Sequence, residues 1–255
     1  MIITDTHTHL YSEAFDNDRE EMIRRAIDLN VTRFFIPAID STYTKAMFEL
    51  EANFPEHVFL MMGLHPTSVK SNYMEELRHV EELLAKRKFY AIGEIGIDLY
   101  WDKSTLEIQK TAFRHQIQLA KQYKLPIVIH CRESFNEIFE VLETEKSEEL
   151  YGIFHCFTGN LEQAQRAISY NMKLGIGGVV TFKNGGIDKF VNQIDIKHIV
   201  LETDSPYLAP KPFRGKRNES AYIIKVLERL SELYDMPKEN IAEITTQNSK
   251  EIFNV

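Results

Sequence analysis

Eight short, almost wholly apolar runs recur along the chain, separated by segments with helical periodicity. The runs cover residues 2–6, 32–37, 58–62, 90–93, 126–129, 152–154, 173–180 and 199–201. They are continuous rather than alternating, which suits strands buried on both faces of a parallel sheet. Parallel neighbours need a crossover, and the intervening segments supply it. Apolar residues at helical spacing mark 18–29, 42–51, 74–85, 105–122, 134–142, 161–169 and 219–233. Asp18 is followed by Glu21, and Ser134 by Glu137, the pairing expected at helix starts. Eight strands alternating with helical segments in 255 residues predict a TIM-type (β/α)8 barrel spanning residues 1–255 as one domain. A doubly wound open sheet is the rival arrangement. No Gly/Ser/Pro linker, low-complexity tract or repeat marks a second domain.

A parallel barrel builds its active site at the carboxyl ends of its strands. There the predicted strands place His7 and His9 (strand one), His65 (three), Glu94 (four), His130 (five), His155 (six) and Asp204 (eight). The remaining histidines, His57, His79, His115 and His198, fall before strands or on helices and are assigned no chemistry.

His7 and His9 sit two residues apart, so on a strand their side chains point the same way, about 7 Å apart at the backbone. Two imidazoles so placed reach one metal ion, although the pair alone also suits an exposed edge strand. Asp5 precedes them on the same strand face, where a carboxylate can orient a ligand. Glu94 lies between Gly93 and Gly96, and its two oxygens suffice to bridge two cations. Individually, Glu94 also reads as a cap or ion-pair residue, His130 and His155 as core histidines, and Asp204 as an N-cap. Together they make six donors on five strands. The expected arrangement is His7, His9, Glu94 and Asp204 on one divalent ion, with Glu94, His130 and His155 on a second. Zinc, manganese and magnesium all suit such a mixed set. Paired ions activate a water and stabilise both oxygens of a phosphoryl displacement, with Asp204 placed to take the water's proton. Cys131 and Cys156 adjoin His130 and His155 and point to the opposite side, as packing residues; this disfavours a Cys-His protease.

The net charge of −8 argues against a protein that coats nucleic acid electrostatically. It leaves room for a local grip on a phosphate. Lys211, Arg214, Lys216 and Arg217 crowd a short segment after strand eight, and Lys183 follows strand seven. Tyr207 and Phe213 are available to stack on a base or to pack. Acidic pairs such as Glu75-Glu76 and Glu148-Glu149 read as solvated helix faces. No apolar run is long enough to span a bilayer, the opening residues lack a signal-peptide pattern, and only two cysteines occur. A reducing cytoplasm is the expected location. The sequence leaves the oligomeric state open, with a monomer as one option.

In order, the chain carries His7-Thr8-His9, Gly63-Leu64-His65-Pro66, Gly93-Glu94-Ile95-Gly96-Ile97-Asp98, His130-Cys131-Arg132, His155-Cys156-Phe157-Thr158-Gly159, Thr181-Phe182-Lys183 and Glu202-Thr203-Asp204-Ser205-Pro206-Tyr207-Leu208. This series resembles the TatD family of metal-dependent deoxyribonucleases from residue 2 to about residue 250. The resemblance implies a TIM-barrel metallohydrolase that cuts DNA, in some members as a 3′ to 5′ exonuclease. It implies the same six ligands and adds His65 beside the substrate phosphate. It makes Arg214, Lys216 and Arg217 part of a basic substrate loop. One departure is visible: where the family commonly has Arg-Asn-Glu-Pro, this chain has Arg217-Asn218-Glu219-Ser220, which puts the rigidity of that loop in question.

The leading expectation is therefore a dinuclear, divalent-metal-dependent deoxyribonuclease with nucleic acid as substrate and Asp204, Glu94 and His65 as catalytic groups. The same scaffold can hydrolyse esters or amides, including D-aminoacyl-tRNA, because an activated water also attacks carbonyls. A non-catalytic barrel with structural metals is the third reading. Structural sites usually close with four ligands, and the fuller donor set here argues against it.

Overall fold

The computed structural model describes residues 2–255. Eight strands run in chain order: β1 (Ile3–Asp5), β2 (Val31–Ile36), β3 (Val58–Leu60), β4 (Ile92–Asp98), β5 (Ile127–Arg132), β6 (Gly152–Phe154), β7 (Met172–Ile176) and β8 (Ile199–Leu201). Every ladder is parallel and joins neighbours in sequence order. Two arcs, β1-β2-β3 and β4 to β8, meet at a Met62–Ile92 bridge. On the other side, the Thr6 N–H and hydroxyl both donate to the Leu201 carbonyl, at 3.0 and 2.9 Å. The sheet is thus closed on itself, which excludes the open doubly wound arrangement.

Alternate residues of the strands divide between two cores, as a barrel requires. Ile92, Ile127, Phe154, Leu174 and Ile199 pack outward against the helices. Phe35, Met61, Ala91, Val128, Ile153 and Val200 fill the interior near the amino ends of the strands. The helices are α1 (Arg19–Asp28), α2 (Thr44–Asn53), α3 (Tyr73–Lys86), α4 (Leu106–Tyr123), α5 (Phe135–Glu145), α6 (Leu161–Ser169), α7 (Ile223–Tyr234) and α8 (Lys238–Phe253). The end of α8 plugs the barrel floor: Ile252 and Phe253 join the interior core, and the Phe253 ring stacks 3.7 Å from Phe35. Because the floor is sealed by apolar packing, the opposite mouth is left for polar chemistry.

Several boundaries differ from the sequence reading. The seventh strand ends at Ile176 rather than 180, and Gly178–Thr181 form a 3-10 turn. A Cβ at Gly178 would lie 2.1 Å from the Leu208 carbonyl oxygen, so only glycine lets the chain pass there. The β7–β8 crossover consists of further 3-10 turns, and both α7 and α8 follow β8. The predicted helix 219–233 begins as a 3-10 turn, Ser220–Tyr222, before α7. Helix α8 was not among the predicted helices because its buried face is partly polar. Thr245, Thr246, Asn248 and Ser249 are buried, and Asn248 donates to the Ile196 and Ile199 carbonyls, which blurs the apolar period.

Candidate metal centre and active-site cleft

Strands β4 and β5 run further than predicted, so Glu94 and His130 stand within them rather than at their ends. The ladder shifts register between Gly93 and Ile95, the irregularity that carries Glu94. Gly96 has φ +139°, and a Cβ there would sit 2.1 Å from the His130 carbonyl oxygen; β4 and β5 can approach this closely only with glycine at that position. β1 ends at Asp5, and His7 and His9 lie on the irregular segment that follows it rather than on the strand. Backbone bonds from Thr8 to Phe35, His9 to Ser205 and Asp204 to His7 hold that segment between its neighbours at 2.8–3.1 Å.

The six predicted ligand residues converge. Glu94, almost fully buried, faces two groups with its two oxygens. Its Oε2 is 3.1 Å from His7 Nε2 and 3.7 Å from His9 Nε2. Its Oε1 is 2.6 Å from His130 Nδ1, 3.5 Å from His155 Nε2 and 3.3 Å from His65 Nε2. Asp204 Oδ1 closes the first group at 3.8 Å from His7 and 3.5 Å from His9. Donor atoms of His7, His9 and Glu94, of His7, His155 and Asp204, and of His65, Glu94 and His130 form groups within 4.8 Å, spacings that suit a shared cation. His65 therefore comes to the cluster itself as well as to the cleft.

Both ring nitrogens of buried His7 lack a hydrogen-bond partner. Its Nε2 nears Glu94 without donor alignment, as expected of a lone pair aimed at a cation. Burial holds the imidazoles of His7 and His65 below their usual range, although Glu94 pulls both upward. Burial would raise Glu94, but His65, His155 and His7, with a bond from His130, hold it well below the usual carboxylate range. Burial likewise opposes protonation of His155, yet Glu202, Glu94 and Asp204 outweigh it and push the group up to about 10. The pull of three carboxylates on one imidazole marks a pocket that calls for positive charge, which a bound cation would supply. The donor set and orphaned nitrogens fit divalent metal.

Two carboxylates behind the histidines were quoted in the sequence motifs but given no role. Asp98 Oδ2 lies 2.9 Å from His130 Nε2, while its Oδ1 accepts the Tyr100 and Trp101 backbone N–H groups at 2.9 and 3.3 Å. Glu202, fully buried on leaving β8, lies 3.1 Å from His155 Nδ1 and accepts the Cys156 N–H at 2.7 Å. The available signal was chemical: a ligating histidine usually needs a carboxylate behind it. Asp5 acts differently from the sequence expectation. It accepts from the Thr203 N–H and hydroxyl and from the Ser220 hydroxyl, at 2.9, 2.6 and 2.7 Å, and touches only the backbone of His7. Ser220, where the family commonly has proline, thus ties its loop to β1 by a hydrogen bond.

The cluster floors a cleft of about 690 Å³ lined by His9, His65, Glu94, His130, His155 and Asp204. A neighbouring recess of about 600 Å³ shares Thr158 and Val179 with it and is lined by Lys183, Lys211 and Arg214. Arg214 rests 3.8 Å over the Phe182 ring. Lys216 is on the exposed part of the same loop. Arg217 lines neither cavity. It donates twice to Asp18, at 2.6 and 2.7 Å, and once to the Ala14 carbonyl, and lies over Phe15. Phe213 stacks on Tyr222 at 3.9 Å, whereas Tyr207 stays exposed at the cleft. Burial raises the Cys131 thiol to about 12 and Cys156 well above its usual value, so neither is a nucleophile near neutral pH. His57, His79 and His115 bond locally to Thr32, Thr44 and Glu81, away from the cleft. No helix among the described residues is long and apolar enough to cross a membrane.

The TatD related DNase family model matches residues 4–254. The metal-dependent hydrolase YabD of Bacillus subtilis (strain 168) is 43% identical over 256 residues, covering 100% of both chains. The crystal structure of the TatD homologue YjjV from Escherichia coli K12 superposes with a TM-score of 0.93 at 29% identity, covering 99% of this chain and 98% of that one. A TatD family hydrolase from Entamoeba histolytica shares the fold, with a TM-score of 0.86 at 21% identity over 99% and 98% of the two chains. With the model matching nearly its whole length, the chain belongs to the TatD-related DNase family of metal-dependent hydrolases.

Proposed function

We propose that the protein is a divalent-metal-dependent deoxyribonuclease that hydrolyses phosphodiester bonds at a dinuclear centre. The observation that carries this is the division of Glu94: one oxygen faces His7 and His9, the other His130, His155 and His65. In this reading His7, His9, Glu94 and Asp204 hold one ion, and Glu94, His130 and His155 the other. Divalent cations held by these residues would supply Lewis-acid chemistry, lowering the pKa of water and offsetting charge on phosphoryl oxygens. Asp204 lines the cleft and accepts the proton of the attacking water. His65 contacts the scissile phosphate. Lys183 and Arg214 hold neighbouring phosphates, with Lys216 adding charge from the exposed loop. Such a cationic recess favours a phosphate-bearing substrate over a neutral ester or amide.

The test is hydrolysis of end-labelled single- and double-stranded oligonucleotides after chelation and after adding back magnesium, manganese or zinc. Activity should vanish on chelation and return with metal. Asp204→Asn should keep its circular dichroism spectrum and lose turnover. Undiminished rates in the chelated protein, or wild-type turnover in Asp204→Asn, would end this reading.

A further inference from the structure

Seven large apolar side chains are exposed among the described residues; Ile2, Leu29 and Met74 lie outside the cleft, and the other four stand at or beside it. Trp101, Tyr207 and Leu208 line it, and Tyr100 packs edge-on against Trp101 at 4.9 Å. Trp101 is 70% exposed. An indole usually gains by burial, so one held open to solvent at a cleft marks a contact surface. It is also held in place. Asp98 accepts the backbone N–H groups of Tyr100 and Trp101 with one oxygen and reaches His130 with the other. One carboxylate therefore fixes both the indole-bearing loop and a histidine of the cluster. Arg132 lies 3.8 Å over the Tyr100 ring and 5.7 Å from that of Trp101, adding a cation beside the aromatic pair. In a ring of eight strands, the loop after β4 stands across the mouth from the loops after β7 and β8. Those opposite loops carry Lys183, Lys211 and Arg214. The cleft thus has an aromatic edge and a cationic edge, with the histidine cluster between them.

We infer that Trp101, supported by Tyr100 and Arg132, is a stacking platform for a nucleobase of single-stranded nucleic acid whose phosphates run toward Lys183, Lys211 and Arg214. This rests on the nuclease reading and narrows it. A base inside a duplex has both faces covered by its neighbours, so only an unpaired base presents a face to the indole. A single nucleotide reaches fewer of these contacts than an oligonucleotide does.

Trp101 is the chain's only tryptophan, so its emission reports the contact directly. The experiment titrates wild-type protein, with its metal, with a phosphorothioate-linked oligothymidylate and with an abasic oligonucleotide of equal length and charge. The base-bearing strand should quench the emission and the abasic strand should not. Trp101→Ala should raise KM for single-stranded DNA roughly tenfold, an effect larger than that on kcat, while Trp101→Phe restores most of the binding. Because the side chain is mostly exposed, the melting temperature should not move. Hydrolysis of DNA with equal quenching by both strands, or with an unchanged KM in Trp101→Ala, overturns the platform and leaves the nuclease reading standing. Base-dependent quenching without hydrolysis of any oligonucleotide supports the platform and overturns the nuclease reading. Neither quenching nor hydrolysis overturns both.

Discussion

Arg217→Ala should destabilise the fold without weakening substrate binding, whereas Arg214→Ala should do the reverse. Both residues belong to one basic segment, and sequence offers no way to separate them. The structure does. Arg217 makes a two-pronged ion pair with Asp18 just before α1, and both partners are about one-third exposed. An exposed pair contributes ~0.5–1 kcal/mol. The hydrogen bond to the Ala14 carbonyl adds ~1 kcal/mol. Stacking 4.7 Å over Phe15 adds ~0.5 kcal/mol. Losing all three should cost about 2 kcal/mol, a fall in Tm of roughly 4–8 °C for a chain of this size. The pH dependence is fixed as well. A hydrogen bond from Arg217 outweighs partial burial and, with Arg25, lowers Asp18 from 3.8 to about 2. A depressed carboxyl stabilises above its unfolded value, and that contribution is lost as pH falls through the folded one. The Tm gap between wild type and Arg217→Ala should therefore hold constant down to pH 4–5 and narrow towards pH 2 by the ion pair's share, ~0.5–1 kcal/mol, while the part owed to Ala14 and Phe15 remains. Differential scanning calorimetry across pH, beside steady-state kinetics at neutral pH, measures both sides. A raised KM with unchanged Tm in Arg217→Ala would refute the assignment.

Phe253→Ala removes the plug stacked on Phe35 and should cost ~3–5 kcal/mol in urea unfolding, with little change in metal content. Gly96→Ala forces a Cβ into the His130 carbonyl at φ +139° and should abolish metal retention or soluble expression; a variant with wild-type metal content would contradict that packing. Asp98→Ala frees His130 and the Trp101 loop together, and metal titration should show affinity weakened about 10–100-fold. Unchanged affinity would remove Asp98 from its positioning role.

The strand–helix alternation was legible because a parallel strand buried on both faces must be continuously apolar, and that pattern is local. For the same reason the residues at the strand ends could be picked out, and His7, His9, Glu94, His130, His155 and Asp204 do converge. Where burial is polar, the pattern fails. Helix α8 hides threonines and asparagine against the barrel floor, so its period is obscured. Exact strand ends failed too, since the extension of β4 past Glu94 depends on glycines whose need is set by β5.

The sequence by itself determined the strand–helix alternation, the order of the strands along the chain and the donor types available at their ends; closure of the sheet into a barrel was decided by the Met62–Ile92 bridge and the Thr6–Leu201 bonds. Only the tertiary structure decided which partner each charge takes. Asp98 and Glu202 stand behind His130 and His155, Arg217 belongs to Asp18 rather than to the cleft, and Ser220 ties its loop to Asp5. These pairings join residues far apart in the chain, up to 215 positions for Ser220 and Asp5, and a few ångströms decide between ligand, support and ion pair. Periodicity carries information about a residue's own element; distance between elements is settled only when the barrel closes.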